Sequence, residues 1–159
     1  MAAPYPVLTF LLSVAVAFAG FAPNVSVDHG RSCGSPSITL GPPRGGNQPV
    51  YVVMGDGQNV VFQKSTDAGM TWLAENQVVC QGGASDVTTD RDGNVYVVYC
   101  VDDSSSKSHV YCVGSADGGA TWSAPAKIDD NPNEVSARSG HIASDTAGNL
   151  FCEIGRAHV

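Results

Sequence analysis

The chain has 159 residues, enough for one ordinary domain, and 43% of them are hydrophobic, enough for a packed core. Its formal charge is -7, with only eight Lys and Arg and no basic cluster, which excludes the electrostatic footprint of a nucleic-acid binder. An acidic balance of this kind favours solubility.

The chain opens with MAAPYPVLTFLLSVAVAFAGFAPN, whose apolar run from Val7 to Ala22 carries the small-residue triplet Ala17 to Ala19. Residues 1–22 read as a signal peptide with cleavage near Ala19 or Ala22, which predicts a secreted or extracytoplasmic protein. No Lys or Arg precedes Arg31, so the positive end rests on the α-amine, or Met1 is not the true start. The alternative is an uncleaved anchor, the one route to a membrane. Sixteen helical residues, however, rise only about 24 Å against a hydrocarbon core of roughly 30 Å. Asn24-Val25-Ser26 then forms a glycosylation acceptor pattern.

Residues 23–152 repeat themselves. STDAGMTW, Ser65 to Trp72, returns as SADGGATW, Ser115 to Trp122. PVYVVM from Pro49 answers to NVYVVYC from Asn94, and SDVTTDRDGNVYVV from Ser85 answers to GHIASDTAGNLFCE from Gly140. These pairs lie 45, 50 and 55 residues apart, so the period is about fifty, which points to a repeat architecture. Each unit reads as four short strands. In the second unit they are Asp86 to Thr89, Val95 to Val101, Ser108 to Ser115, and a fourth from near Trp122 toward Ile128. No helical periodicity is sustained outside the leader.

The expected fold is therefore all-β: a partial β-propeller of about two and a half four-stranded antiparallel blades, at 33–79, 82–129 and a truncated 139–152. Tandem small sandwiches would need about twice the length per unit. The tail Glu153 to Val159, EIGRAHV, back-translates into a stretch similar to a widely used sequencing adapter, so the natural sequence is expected to stop near Cys152.

Within the octet each residue has a structural role. Asp67 and Asp117 accept backbone N–H bonds, Ser65 and Ser115 do so more weakly, and Gly69 and Gly119 supply positive φ. Thr71 and Thr121 precede Trp72 and Trp122, whose large rings suit packing between neighbouring sheets. DRDGN, Asp90 to Asn94, has the carboxylates of a calcium loop, but its third-unit counterpart DTAGN keeps only the turn glycine. That comparison favours a turn, with no metal or cofactor expected. Five cysteines fit an oxidising compartment, and Cys100 and Cys112 flank one hairpin turn where a disulfide is plausible.

Both octets resemble the Asp-box, or BNR repeat, Ser-x-Asp-x-Gly-x-Thr-Trp, of sialidases and related propellers, at all five positions. The resemblance implies a glycan or glycoprotein partner and puts the Asp-box on the face away from the active site. Sialidases of this type use an arginine triad, a Tyr nucleophile with a Glu partner, and an Asp acid/base. The first arginine is expected in an Arg-Ile-Pro motif, whereas CGSPSI here keeps Pro36 and has Gly34 at the arginine position.

Asp56 in MGDGQ is the candidate acid, set against an ordinary turn signal, and Arg138 in SARSGH is the candidate substrate-binding residue, set against a surface arginine. Arg44 reads as a solvated loop residue and His141 as a structural histidine. Two functions follow: a secreted exo-sialidase or related glycoside hydrolase whose remaining catalytic residues lie in later blades, or a non-catalytic Asp-box propeller binding glycan or protein. The chain by itself is expected to be inactive under both.

Overall fold

A computed structural model describes residues 25–103, 107–129 and 137–156, with the backbone alone at 85, 137–139 and 156. The leader, Asn24 and residues 157–159 lie outside the described residues. Among the described residues, ten strands form three antiparallel sheets. The first sheet has the order β1-β2-β3-β4, from Gly34–Leu40, Val50–Gly55, Asn59–Ser65 and Gln77–Gln81. The second repeats that order as β5-β6-β7-β8, from Gly83–Thr89, Val95–Asp102, Ser108–Ser115 and Ala126–Lys127. The third pairs β9, Ala137–Ser144, with β10, Leu150–Arg156.

The strand sequences explain their layering. Every residue from Val50 to Met54 is buried, and so are Val60 to Gln63, because these middle strands are covered on both faces. Strands covered on both faces read as continuous apolar runs. One face of the first sheet, with Tyr51, Val53, Val60 and Phe62, packs onto Val87, Val95, Val97, Tyr99 and Val113 of the second. The other face, with Val52, Met54 and Val61, is covered by Val27 and Cys33 of the N-terminal segment and by Trp72. The far face of the second sheet meets the third at Gly140, where a side-chain Cβ would lie 3.3 Å from Val110 and 3.5 Å from Val98.

Successive sheets are joined by bonds that themselves repeat. The Thr89 hydroxyl donates to the Leu40 carbonyl at 2.8 Å, and the Ser144 hydroxyl donates to the Thr89 carbonyl at 2.6 Å. Arg44 donates to Asp92 O at 2.8 Å, as Arg91 does to Thr146 O at 3.4 Å. The first strand of each sheet thus lies beside the first strand of the next.

Two boundaries differ from expectation. The fourth strand of the second unit is only Ala126–Lys127, not Trp122 to Ile128. Ser123 N donates to Gly114 O as part of the preceding turn, Pro125 has no N–H to give, and Asp129 Oδ1 accepts the Val110 N–H beyond the strand. In the third unit β9 begins at Ala137, ahead of the start expected near Ser139, and β10 spans Leu150–Arg156.

Candidate functional site

The two octets occupy equivalent positions between the third and fourth strands and share the bonds of their Ser, Asp and Thr side chains, while the Trp72 indole N–H donates to Gly69 O at 3.1 Å and that of Trp122 is buried without a partner among the described residues. Ser65 and Ser115 Oγ each donate to the following Asp at 2.7 Å, and each accepts the N–H of Gly69 or Gly119 at 2.8 and 2.7 Å. Asp67 and Asp117 each accept the Thr71 or Thr121 N–H at 2.8 Å and its hydroxyl at 2.6 Å. Hydrogen bonding to the ionised form lowers a carboxyl pKa. The Thr71 hydroxyl and N–H bring Asp67 down to about 2, and those of Thr121 lower Asp117 as well. The rings then diverge. Trp122 meets Phe62 of the first sheet edge-on at 5.2 Å, between sheets, whereas Trp72 packs on the first sheet's other face. All ten octet residues serve the turns and their packing.

Strand direction places the octets and the Arg44 and Asp90 turns at one end of the sheets, and Gly34, Asp56 and the turn after Asp102 at the other. Asp56 sits in the β2–β3 turn. Its Oδ1 accepts the N–H of Asn59 at 2.7 Å and of Gln58 at 3.1 Å, and its Oδ2 accepts from Arg31 at 2.8 Å. Those bonds, the Asn59 backbone foremost, hold its carboxyl below the usual range. Asp90 binds Asp92 N and Asn94 N, and Asp145 binds Ala147 N and Asn149 N, in the same manner. Three hairpin aspartates therefore share one bonding pattern. A general acid needs a pKa raised toward the working pH, and the bonds on Asp56 act in the opposite direction.

Arg138 lies on β9 beside the irregularity opposite Gly155 and Arg156, and its side chain lies outside what is described. Asp56 and Arg138 are on different sheets, and no described contact brings them together. Cys100 and Cys112 share a face of the β6–β7 hairpin without facing each other: Cys100 pairs with Val110 and Cys112 with Val98. Such diagonal neighbours are about 7–8 Å apart at Cα, beyond ordinary disulfide reach. All five cysteines are thiols in this structure. Burial pushes the Cys112 thiol up to about 11, with Cys152 of the next sheet contributing.

Two clusters emerge that the sequence reading passed over. Ser37, Asp86 and His141 occupy one position of the repeat, three residues before Leu40, Thr89 and Ser144. Asp86 links the three sheets: it accepts from Ser37 Oγ and, at 3.0 Å, from Ile142 N, and His141 Nδ1 stands 3.6 Å from its Oδ2. Aligning the units through their inter-sheet hydroxyl bonds is the signal that finds this row. At the end that carries Asp56, His109 Nδ1 lies 2.8 Å from Asp129 Oδ2 and its Nε2 lies 3.6 Å from Asp103. Lys127 completes that group at 3.6 Å from Asp129. It clamps the short β8, and Asp103 also accepts the Lys107 N–H at 3.0 Å across its turn, as Asp56 accepts that of Asn59.

Among the described residues, no three His, Cys, Asp or Glu side chains converge as a metal ion would require. No helix among them is long and apolar enough to cross a membrane. No family model matches the chain, and no curated protein is significantly similar to it.

Proposed function

We propose that this chain is the first part of a secreted, sialidase-like Asp-box β-propeller, and that the longer protein acts on glycans as an exo-sialidase or related glycoside hydrolase. The observation that supports this reading is the pair of octets, matched in their Ser, Asp and Thr side-chain bonds and set at the same place in consecutive four-stranded sheets. A second point agrees with it. The first strands of the three sheets lie side by side and contribute Ser37, Asp86 and His141 to one polar row, the place where a ring of such sheets would line its axis.

A specific observation favours the second reading, a non-catalytic propeller that binds glycan or glycoprotein. Gly34 stands where the resemblance calls for the first carboxylate-binding arginine, and Asp56 is held ionised by turn bonds and Arg31. A bidentate guanidinium has no substitute in a glycine. The test is turnover of a fluorogenic sialoside by the longer protein, beside binding of the same sialoside at a temperature where turnover is slow. Turnover that is lost in Asp86→Asn supports the hydrolase and assigns the polar row to its site. Binding without turnover supports the second reading, and neither binding nor turnover overturns the sialoside as ligand.

A further inference from the structure

The loop between β1 and β2, strand β3 and the second octet enclose a cavity of about 440 Å³, lined by Arg44, Tyr51, Lys64, Thr66, Gly93 and Asp117 among others. We propose that this cavity binds an oxyanion-bearing ligand of monosaccharide size, with Arg44 and Lys64 receiving its carboxylate, sulfate or phosphate group. It lies at the octet end of the sheets, opposite Asp56, and stands whether or not the longer protein is catalytic.

Charge is the first argument. In a chain of net charge -7, two cations line one cavity, and neither is ion-paired to a carboxylate among the described residues. Asp117, the one acidic lining residue, turns its carboxylate inward to Thr121 and Ser115. Arg44 is exposed, as its loop suggested, yet anchored. It is held by Asp92 O at 2.8 Å, and it fits because residue 93 is glycine: a Cβ there would fall 2.3 Å from the guanidinium. Lys64 is held by Gly118 O at 3.1 Å. One bond each leaves donors to spare, since a guanidinium has five and an ammonium three.

The second sheet carries Tyr96, Gly114 and Ala116 where the first has Tyr51, Lys64 and Thr66. They line a hollow of about 390 Å³ that only Leu150 meets from the third sheet, which among the described residues has no octet to wall it. No Lys or Arg lines it. Lys64 and Thr66 are thus no requirement of the strand itself, since Gly114 and Ala116 hold the same positions after Val113 and Ser115 in the second sheet. The size of the first cavity points beyond a bare ion, because small-molecule sites span roughly 300–1,000 Å³.

Calorimetric titration of the full chain at low protein concentration tests this with four probes: glucuronate, glucose 6-sulfate, inorganic sulfate and glucose. The expected result is that at least one charged sugar binds, tighter than inorganic sulfate, that glucose binds about tenfold or more weaker, and that added salt weakens binding. Lys64→Met and Arg44→Gln each reduce affinity about tenfold or more with the thermal midpoint maintained, and Lys64→Arg restores most of it. If Lys64→Met fails to fold, Thr66→Ala and the salt series carry the test. Equal binding of glucose, sulfate binding without either charged sugar, no binding of any probe, or full affinity in Lys64→Met would each overturn the proposal.

Discussion

At the scale of single residues, the octet aspartates are proton-linked elements of stability. Their folded pKa lies below the unfolded value, so the stability they contribute is present above the unfolded carboxylate pKa of about 4 and is lost as pH falls through the folded value. Asp67→Asn removes the ionised acceptor while keeping the shape. The melting-temperature gap between wild type and this variant is expected to be widest above about pH 4 and to narrow steadily toward about pH 2. A gap that is flat across that interval would show that the carboxylate charge does not matter to the turn. The neighbouring residue offers the converse experiment. Ala68 has φ of +60° where the second copy has Gly118 at +68°. Relief of a left-handed alanine is worth about 1–2 kcal/mol, against about 0.4–1 kcal/mol of added unfolded-state entropy. Ala68→Gly is therefore expected to stabilise by roughly 0.5–1 kcal/mol, measured by denaturant melts.

At the scale of the element, the two octets share a backbone but differ in what surrounds it. A Cβ on Gly69 would meet only Trp72, at 3.9 Å, whereas one on Gly119 would fall 2.3 Å from the Phe62 ring. Both glycines have φ near +90°, so the backbone strain of Gly→Ala is common to both. The difference is overpacking, about 1–3 kcal/mol, and Gly119→Ala is expected to cost that much more than Gly69→Ala in the same denaturant melts. Equal losses would remove Gly119 from the contact between sheets. This contrast marks how far the sequence could be read. The strands, their order and the turn chemistry were legible, because short apolar runs, Asp-Gly turns and the repeat can be read along the chain. What the octet rings touch was not, since Trp72 and Trp122 have the same local sequence and different neighbours. The short β8 escaped for a related reason, because Asp129 caps Val110 from outside the repeated pattern. Among site residues, the alternative turn reading of Asp56 agrees with its bonds, whereas the row of Ser37, Asp86 and His141 became visible only through inter-sheet contacts. The offset of Cys100 from Cys112 is a matter of register, which the sequence around that hairpin does not determine. Peptide mapping of alkylated protein is expected to recover both cysteines unbridged to each other.

At the scale of the whole molecule, the three sheets form a stack whose two outer faces are not alike. Beyond the cover provided by Val27, Cys33 and Trp72, the first sheet leaves Ile38 and Leu40 of β1 exposed, at 66% and 58%. By register these residues share the face of Val52, away from the second sheet. On the third sheet Cys152 pairs with Ile142 toward the second sheet, so Phe151, 60% exposed, points outward. An outward phenylalanine at one end and an apolar inner strand at the other each suit a further sheet. In its absence they suit each other. Such a contact is head-to-tail, and heterologous contacts close into rings or continue as open chains. The full chain is therefore expected to self-associate with rising concentration in sedimentation velocity, and Phe151→Lys combined with Ile38→Lys is expected to return it toward monomer. Each lysine would have to be desolvated to enter the contact, a cost that outweighs the burial of one apolar side chain, about 1.5–3 kcal/mol. A wild-type chain that stays monomeric and melts cooperatively at every concentration would contradict the stack's need for further sheets, and with it the propeller reading.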